Sequence, residues 1–315
     1  MASTEVASRR ATRTTAPRRR ARRPRIPYLL LAPAIAVLGI GLGYPVYWQI
    51  NNSFREFGLA QQFGQPAPWV WFDNYVRIFT SDALWAVVVR SLVFCMVNAL
   101  LTVLIGVIFA LLMRAVATWA RLTLQIAMLL AWAMPMVAAV TVWKWLFDWR
   151  TGVVNWLLTR IGLVEFHEHH WLAEPLSFFA VATLVIVWMS VPFVALSVYA
   201  GLTQVPDEVR EAARIDGANS WQQFWSITVP LIRPVLAIVL LLQIIWDLRV
   251  FAQIRLLQDG GAPVGDTNLL GNFIFELGVG RQDFAGAAAV SIFVLALTVL
   301  VSWPYVRALI KELDK

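Results

Sequence analysis

Long apolar runs dominate the chain, and short polar segments separate them. Six of these runs reach roughly the 20 residues that an α-helix needs to cross about 30 Å of hydrocarbon. They cover residues 28–50, 85–113, 123–146, 176–200, 234–257 and 284–305. The pattern therefore predicts an all-α membrane protein with six transmembrane helices, and an even number of spans places both chain ends on the same side.

Basic residues predict which side each polar segment faces, because loops rich in Lys and Arg stay in the cytoplasm. Residues 1–27 are rich in arginine and are expected to form a disordered cytoplasmic tail. The inner loops and the C-terminal tail 306–315 also carry more basic residues than the outer loops. The sequence thus predicts an N-in/C-in topology, with an outer loop at 51–84, a core of five spans at 85–305, and loop 203–233 in the cytoplasm.

Few residues offer the chemistry of an enzyme. None of the lysines follows a glycine and precedes Ser or Thr, so the phosphate-binding motif of an ATPase is missing. Cys95 lies alone in an apolar run, which excludes an internal disulfide. The stretch His167-Glu168-His169-His170 lacks the His-Glu-x-x-His spacing of a zinc protease. We expect no catalytic site, no metal site and no cofactor in this chain, and no nucleic-acid partner.

One polar segment, loop 203–233, interrupts the chain between the fourth and fifth spans. Pro206 and the acidic residues after it predict the start of a short helix, and Gly217 predicts its end. Ser220 and Gln223 have the spacing of a capping box, which predicts a second short helix from Trp221 to Ile227. Its aromatic face predicts either a contact surface for a partner or a helix lying on the inner leaflet.

The order and spacing of residues in this loop resemble a known motif. Glu211-Ala212-Ala213, then Gly217, then Ile227-x-Val229-Pro230 resembles the EAA loop of permease subunits of binding-protein-dependent ABC importers, with Val229 where Leu is usual. Arg249-Val250-Phe251-Ala252-Gln253-Ile254 is similar to the sugar class of these permeases, the maltose and glycerol-phosphate permease family. Two departures lie in the outer loop, where Ala262 stands between the glycines and Pro263, and Leu277-Gly278 replaces a common aromatic.

The resemblance implies a type I ABC importer permease in the bacterial cytoplasmic membrane. It implies a second homologous permease as a heterodimer partner, two copies of a separate subunit that binds ATP and Mg²⁺, and an extracytoplasmic solute-binding protein that delivers a sugar or related carbohydrate. The loop would couple the ATPase to the spans, with Glu211 making a polar contact and Gly217 permitting the turn. The implied coupling residues are Glu211, Ala212, Ala213, Asp216, Gly217, Trp221, Phe224, Ile227 and Pro230.

Charged residues within a span are costly and indicate function. Asp247 and Arg249 lie close to the middle of the predicted fifth span. Gln243 shares a helix face with Asp247, whereas Arg249 lies on the face of Trp246. We expect one of these faces to line a translocation cavity, with Trp246 or Phe251 stacking on a sugar ring. The alternative is that the charged residues pair with a neighbouring subunit and hold the complex together.

Two other functions are compatible with six apolar spans. A secondary transporter of a small solute would usually show more spans or an internal repeat, and no convincing repeat is visible. An ABC importer for a non-sugar solute would share the EAA loop, because the cargo is mostly selected by the binding protein. The motif therefore favours an ATP-driven importer, and a sugar is the expected cargo.

Overall fold

The computed structural model describes residues 26–313, so nearly all of the predicted disordered tail 1–27 lies outside the described residues. The described chain is almost entirely helical, and within it the one β-type pairing is an isolated bridge between Arg55 and Trp69. The helices are α1 Ile26–Ser53, α2 Leu59–Gln62, α3 Asp73–Phe79, α4 Asp82–Ala115, α5 Thr118–Trp132, α6 Met136–Leu146, α7 Val153–Arg160, α8 Pro175–Leu202, α9 Asp207–Ile215, α10 Ser220–Gln223, α11 Val229–Leu248, α12 Ala252–Gln258, α13 Val264–Thr267, α14 Leu270–Phe275 and α15 Phe284–Leu313.

Within residues 26–313, five helical segments are long and apolar enough to cross a membrane. They are Leu29–Ser53, Asp82–Ala115, Pro175–Leu202, Ser220–Leu248 and Phe284–Arg307. A sixth span exists only if α5 and α6 are counted as one. The predicted all-α membrane class is confirmed, and the described chain has five or six spans depending on that pair.

The third predicted span, 123–146, is not a straight helix. It divides into α5 and α6, whose axes differ by 97°. Pro135 stands at the break with an extended ψ of 130°. A proline has no N–H for the helix ladder and disfavours helical geometry in the residue before it, so the chain turns here.

The fifth predicted span, 234–257, is displaced along the chain. The helical segment begins at Ser220 and ends at Leu248, and Arg249–Phe251 are not helical before α12 starts. Contacts from distant residues hold this break. The Asn272 side chain donates to the Phe251 carbonyl at 3.2 Å, and Gly271 lies so close that a Cβ there would be 3.1 Å from the Val250 oxygen.

Two further expectations need correction. The second helix of loop 203–233 does not end at Ile227, because α10 continues through a π-helical turn at Phe224–Thr228 into α11. Pro230 lies directly after this π-helical turn, so its missing N–H falls inside the continuous helical segment, where the hydrogen-bond ladder is locally irregular. The predicted tail 306–315 is helical as far as Leu313, since it continues α15 with residues of high helix propensity.

The chain divides into two compact units, Met1–Tyr47 and Trp48–Lys315, and the second holds the core. α4 and α8 lie side by side at its centre. Gly106 of α4 allows their close approach, because a Cβ at that position would be 2.6 Å from Val194 Cγ1. α5, α11 and α12 pack around α8. The largest fully buried side chains include Phe178, Leu84, Met113, Leu202, Ile232 and Ile254.

Candidate functional site

Loop 203–233 folds as a short helix, a tight turn and the start of the long helical segment. α9 begins with acidic residues and ends in a Schellman motif. The Ala218 N–H donates to the Ala213 carbonyl at 2.9 Å, and the Gly217 N–H donates to the Arg214 carbonyl at 3.0 Å. Gly217 has a φ of +83°, which glycine adopts without strain. The turn therefore depends on the glycine that the sequence indicated.

The helix after this turn is capped one residue earlier than predicted. The Asn219 side chain accepts from the Gln222 N–H at 2.9 Å, and the Gln222 side chain accepts from the Asn219 N–H at 2.9 Å. Ser220 is therefore not the cap. Gln223 instead donates to the Ala218 carbonyl at 2.7 Å. The capping box joins the Gly217 turn directly to the long helical segment.

The predicted coupling residues form a mostly exposed surface. Most of them are exposed, namely Glu211, Ala212, Asp216, Gly217, Trp221 and Pro230. Phe224 and Ile227 are half-buried, and Ala213 is buried on the inward face of α9. Trp221 is 69% exposed and contacts Trp225, with ring centroids 5.6 Å apart. Ile215 is 86% exposed and was missed by the sequence reasoning, although a large apolar residue beside Asp216 is a signal for a contact surface.

A cleft of about 380 Å³ lies where the long segment ends at Leu248. Three of the predicted pathway residues, Trp246, Asp247 and Arg249, line it. Residues from other parts of the chain complete its walls, namely Trp132, Ile186, Met189, Ser190, Val250 and Gln253. Sequence reasoning missed Trp132, Ile186, Met189 and Ser190, because they come from spans that are distant along the chain.

An aromatic stack supports one wall of the cleft. Phe193 lies between two tryptophans, stacked on Trp132 at 6.0 Å and edge-on to Trp246 at 5.1 Å. Both tryptophans remain about half exposed. Aromatic faces of this kind bind the C–H face of a sugar ring, and nearby polar groups bind its hydroxyls. Ser190, Gln253 and Arg249 provide such groups in the same cleft.

Asp247 is tied to its own helix and not to Arg249. The fully buried Gln243 donates to the two carboxylate oxygens of Asp247 at 3.2 and 3.4 Å. The two side chains therefore share a face, as their spacing predicted. Among the described residues Arg249 forms no ion pair within 4 Å, so its guanidinium is available to the cleft.

The structure does not bring Phe251 to this cleft. Its ring contacts Phe275 at 5.3 Å and lines a separate apolar cavity of about 380 Å³ with Gly271, Gly278 and Phe284. The reason is the end of α11 at Leu248, which turns Phe251 away from the line of Trp246. Of the predicted pathway residues, Trp246, Asp247 and Arg249 meet in one place, Gln243 lies behind Asp247, and Phe251 lies elsewhere.

Polar contacts fix the predicted outer side of the core. Arg90 donates to the carbonyls of Gly265 and Asn268 at 3.2 and 3.0 Å, so it fixes the 258–283 loop. The Asn268 side chain also donates to Glu276. In the loop 147–175, Trp149 stacks on His170 with centroids 4.2 Å apart. No group of three His, Cys, Asp or Glu side chains in residues 26–313 has the arrangement of a metal site.

The match to a protein family decides the class of the molecule. A family model described as binding-protein-dependent transport system inner membrane component matches residues 102–308. The chain belongs to this family. It is a multi-pass permease subunit of the cell membrane, as the EAA loop indicated.

Individual relatives agree with the sugar class of these permeases. The chain is 40% identical over 286 residues to the diacetylchitobiose uptake system permease protein DasB of Streptomyces coelicolor, covering 91% of this chain and 87% of the relative. It is 31% identical over 278 residues to the trehalose/maltose transport system permease protein MalF of Thermococcus litoralis, with 88% and 92% covered.

A solved structure supports the fold. The chain superposes with a TM-score of 0.77 and 24% identity on a chain of a bacterial ABC transporter involved in the import of the acidic polysaccharide alginate, covering 91% of this chain and 95% of that one. The type I importer permease architecture is thus confirmed as the fold of this protein.

Proposed function

We propose that this chain forms half of the translocation pathway of an ATP-driven importer for a sugar or related carbohydrate. A binding protein on the outer side delivers the cargo, and a second, homologous permease forms the other half. Two copies of a separate subunit bind ATP with Mg²⁺, because this chain has no phosphate-binding motif. The proposed topology is N-in/C-in, with loop 203–233 facing the ATPase.

One observation carries this proposal. The exposed surface of loop 203–233 and the aromatic cleft are the two ends of a single helical segment, Ser220–Leu248. Trp221 lies one residue after its start, and Trp246 lies two residues before its end. A movement imposed on the loop is therefore transmitted directly to residues that face the cleft.

The cargo class is argued from the relatives and from the cleft. DasB and MalF are named for the uptake of diacetylchitobiose and of trehalose or maltose. The cleft offers two half-exposed tryptophans, and hydroxyl, amide and guanidinium groups line the same cleft. That combination fits the apolar face and hydroxyl rim of a sugar better than it fits a purely apolar or a metal cargo.

The first test is co-purification from native membranes in mild detergent, with a tag at the C-terminus. We expect an ATPase subunit, a second permease and a binding protein, and we expect the Gly217→Ala variant, which strains the turn, to retain less of the ATPase while retaining the second permease. The recovered binding protein is then screened against mono- and oligosaccharides, amino acids and peptides.

Two results would contradict the proposal. A chain that purifies alone, with a variant that behaves like the wild type, would favour a self-sufficient secondary transporter. A binding protein that takes an amino acid or peptide would leave the importer in place and overturn the sugar assignment.

A further inference from the structure

Three arginines lie together where the second long span meets α9. The Arg114 guanidinium lies 3.9 Å from the Asp207 carboxylate, and Arg210 contacts the same carboxylate. Arg214 follows Arg210 by one helical turn and shares its face of α9. Its charge and that of Arg210 both act on Arg114. Two arginines therefore contact one carboxylate, and the charge of a third lies close enough to act on Arg114.

The cluster is short of negative partners. Among residues 26–313, Arg214 forms no ion pair within 4 Å, and Asp207 is the one acidic partner of Arg114 and Arg210. The side chains of Arg114 and Arg210 are about three-quarters buried, at 23% and 24% exposed. The Nε of Arg210 is buried and has no hydrogen-bond partner among the described residues. Such crowding of like charge is costly unless an anion joins it.

The depth of Arg114 indicates where that anion comes from. No charged residue lies between Arg90 and Arg114, and the 23 residues between them span about 35 Å of helix. This length matches a hydrocarbon core of about 30 Å, so the two arginines lie at opposite headgroup layers. Only two residues separate the end of α4 at Ala115 from the start of α5 at Thr118, which keeps this end at the membrane surface.

The cluster also lies on a different side of α9 from the surface that the proposed function assigns to the ATPase. At about 100° per residue, Glu211 and Ile215 fall on a face of α9 about 100° from the face of Arg210 and Arg214. Ile215 is 86% exposed on its face, whereas the arginine face is joined to α4 through Asp207. The ATPase and the membrane would thus meet different sides of α9.

We propose that Arg114, Arg210 and Arg214 bind the phosphate group of an anionic phospholipid in the inner leaflet. Guanidinium groups bind phosphate oxygens through paired N–H donors, and clusters of basic residues at the cytoplasmic surface attract acidic headgroups. The bound lipid joins α9 to the end of α4 and so holds the coupling loop in register with the spans. The proposal rests on the proposed function for the cytoplasmic placement of α9.

The test is a titration of the detergent-solubilised importer with short-chain phosphatidylglycerol, read by the thermal unfolding midpoint and by native mass spectrometry. Phosphatidylcholine and inorganic phosphate are titrated in parallel. Of the three additions, we expect only phosphatidylglycerol to raise the unfolding midpoint and to be retained by the protein. Replacing two arginines in Arg114→Gln/Arg214→Gln is expected to weaken retention about 30-fold.

Matched variants separate charge from folding. Arg233→Gln/Arg307→Gln removes two basic residues elsewhere on the predicted inner side and is expected to bind like the wild type. Arg114→Lys/Arg214→Lys keeps the charge but loses the paired donors, and is expected to bind with intermediate strength. Equal retention in the glutamine variant and the wild type would overturn the proposal, and so would an equal response to inorganic phosphate.

A separate measurement distinguishes failure of this site from failure of the proposed function. Ile215→Cys places a thiol on the exposed loop, while the native Cys95 is buried. Labelling from the outer side of intact cells would overturn both proposals. Labelling only from the cytoplasmic side, with no effect of phosphatidylglycerol, would overturn the lipid site alone. Loss of the ATPase from the glutamine variant without any lipid effect would assign the cluster to the ATPase contact.

Discussion

Arg77 donates two hydrogen bonds to Asp283, which lies 206 positions later in the chain. Its Nη1 lies 2.7 Å from Oδ2 of the aspartate, and its Nη2 lies 3.1 Å from Oδ1. The same carboxylate accepts from the Gly286 N–H at 2.9 Å and so caps the first turn of α15. One aspartate therefore stabilises the start of the last span and attaches α3 to it.

These two roles of Asp283 are separable by substitution. Asp283→Asn keeps a capping oxygen and loses the ion pair, which is worth about 0.5 kcal/mol for a partly exposed pair. Asp283→Ala loses the cap as well, at a further cost of about 1 kcal/mol. Thermal unfolding in detergent should rank wild type, Asn and Ala in that order. Equal losses in the two variants would show that the cap contributes nothing.

The turn at Gly217 should be sensitive to backbone strain alone. A Cβ there meets no atom within 4 Å, so Gly217→Ala tests only the positive φ, and a left-handed conformation costs an L-residue about 1–2 kcal/mol. We expect weaker retention of the ATPase in Gly217→Ala and near-normal retention in Gly217→Asn, because Asn tolerates this region.

Gly64 provides the matched control for that experiment. It also has a positive φ, +94°, with open space around it, but it lies in the predicted outer loop 51–84. Gly64→Ala should keep the ATPase. A loss of ATPase in Gly64→Ala equal to that in Gly217→Ala would indicate general destabilisation and not a coupling role.

Gly106 should tolerate a side chain poorly, because it lies at the contact of α4 with α8. A Cβ there overlaps Val194, and the side-by-side contact of α4 and α8 leaves no room for relaxation. Overpacking of this kind costs about 1–3 kcal/mol, so Gly106→Ala should lower the unfolding midpoint and the yield of assembled importer. Gly265→Ala, where a Cβ meets nothing within 4 Å, should leave both unchanged.

The sequence could predict the spans but not their breaks. Apolar character continues through Leu248-Arg249-Val250-Phe251 into α12, and no Gly or Pro marks the end of α11. The break depends on Asn272 and Gly271, which lie some twenty positions later, so local pattern could not reveal it. The sequence shows a proline at position 135, but it does not reveal the size of the bend there, which is 97° between α5 and α6.

The capping error has a different cause. Asn219 and Ser220 are adjacent, both are good caps, and each has a glutamine three residues later. The sequence therefore fits two capping boxes equally well, in registers one residue apart. The backbone decides between them, because the Schellman turn at Gly217 directs Ala218 so that the Asn219 side chain reaches the Gln222 N–H.

Asp247 should matter for transport more than for assembly. Asp247→Asn retains a partner for Gln243 but removes the charge from the cleft. A hydrogen bond to a charged group contributes about 1.5–3 kcal/mol, so uptake should fall about tenfold or more if the carboxylate contacts the cargo. Asp259→Asn, an exposed carboxylate outside the cleft, is the control. Unchanged uptake with normal assembly would remove Asp247 from the pathway.

Trp132 offers a sharper test of the aromatic wall. Trp132→Ala removes one face of the stack on Phe193, whereas Trp132→Phe keeps an aromatic ring. We expect uptake to fall strongly in the alanine variant and to be largely retained in the phenylalanine variant. Basal ATP hydrolysis in the reconstituted importer should be similar in both. Parallel loss of uptake and hydrolysis would instead indicate that Trp132 supports the fold.

The continuous helical segment from Ser220 to Leu248 has the length of a lever arm. Its 29 residues measure about 43 Å, so a tilt of roughly 10° at one end displaces the other by about 7 Å. That displacement is comparable to the width of a pyranose ring. Under the proposed function, a small closing step at the loop end would therefore be large enough, by length alone, to move Trp246 across the width of a sugar ring.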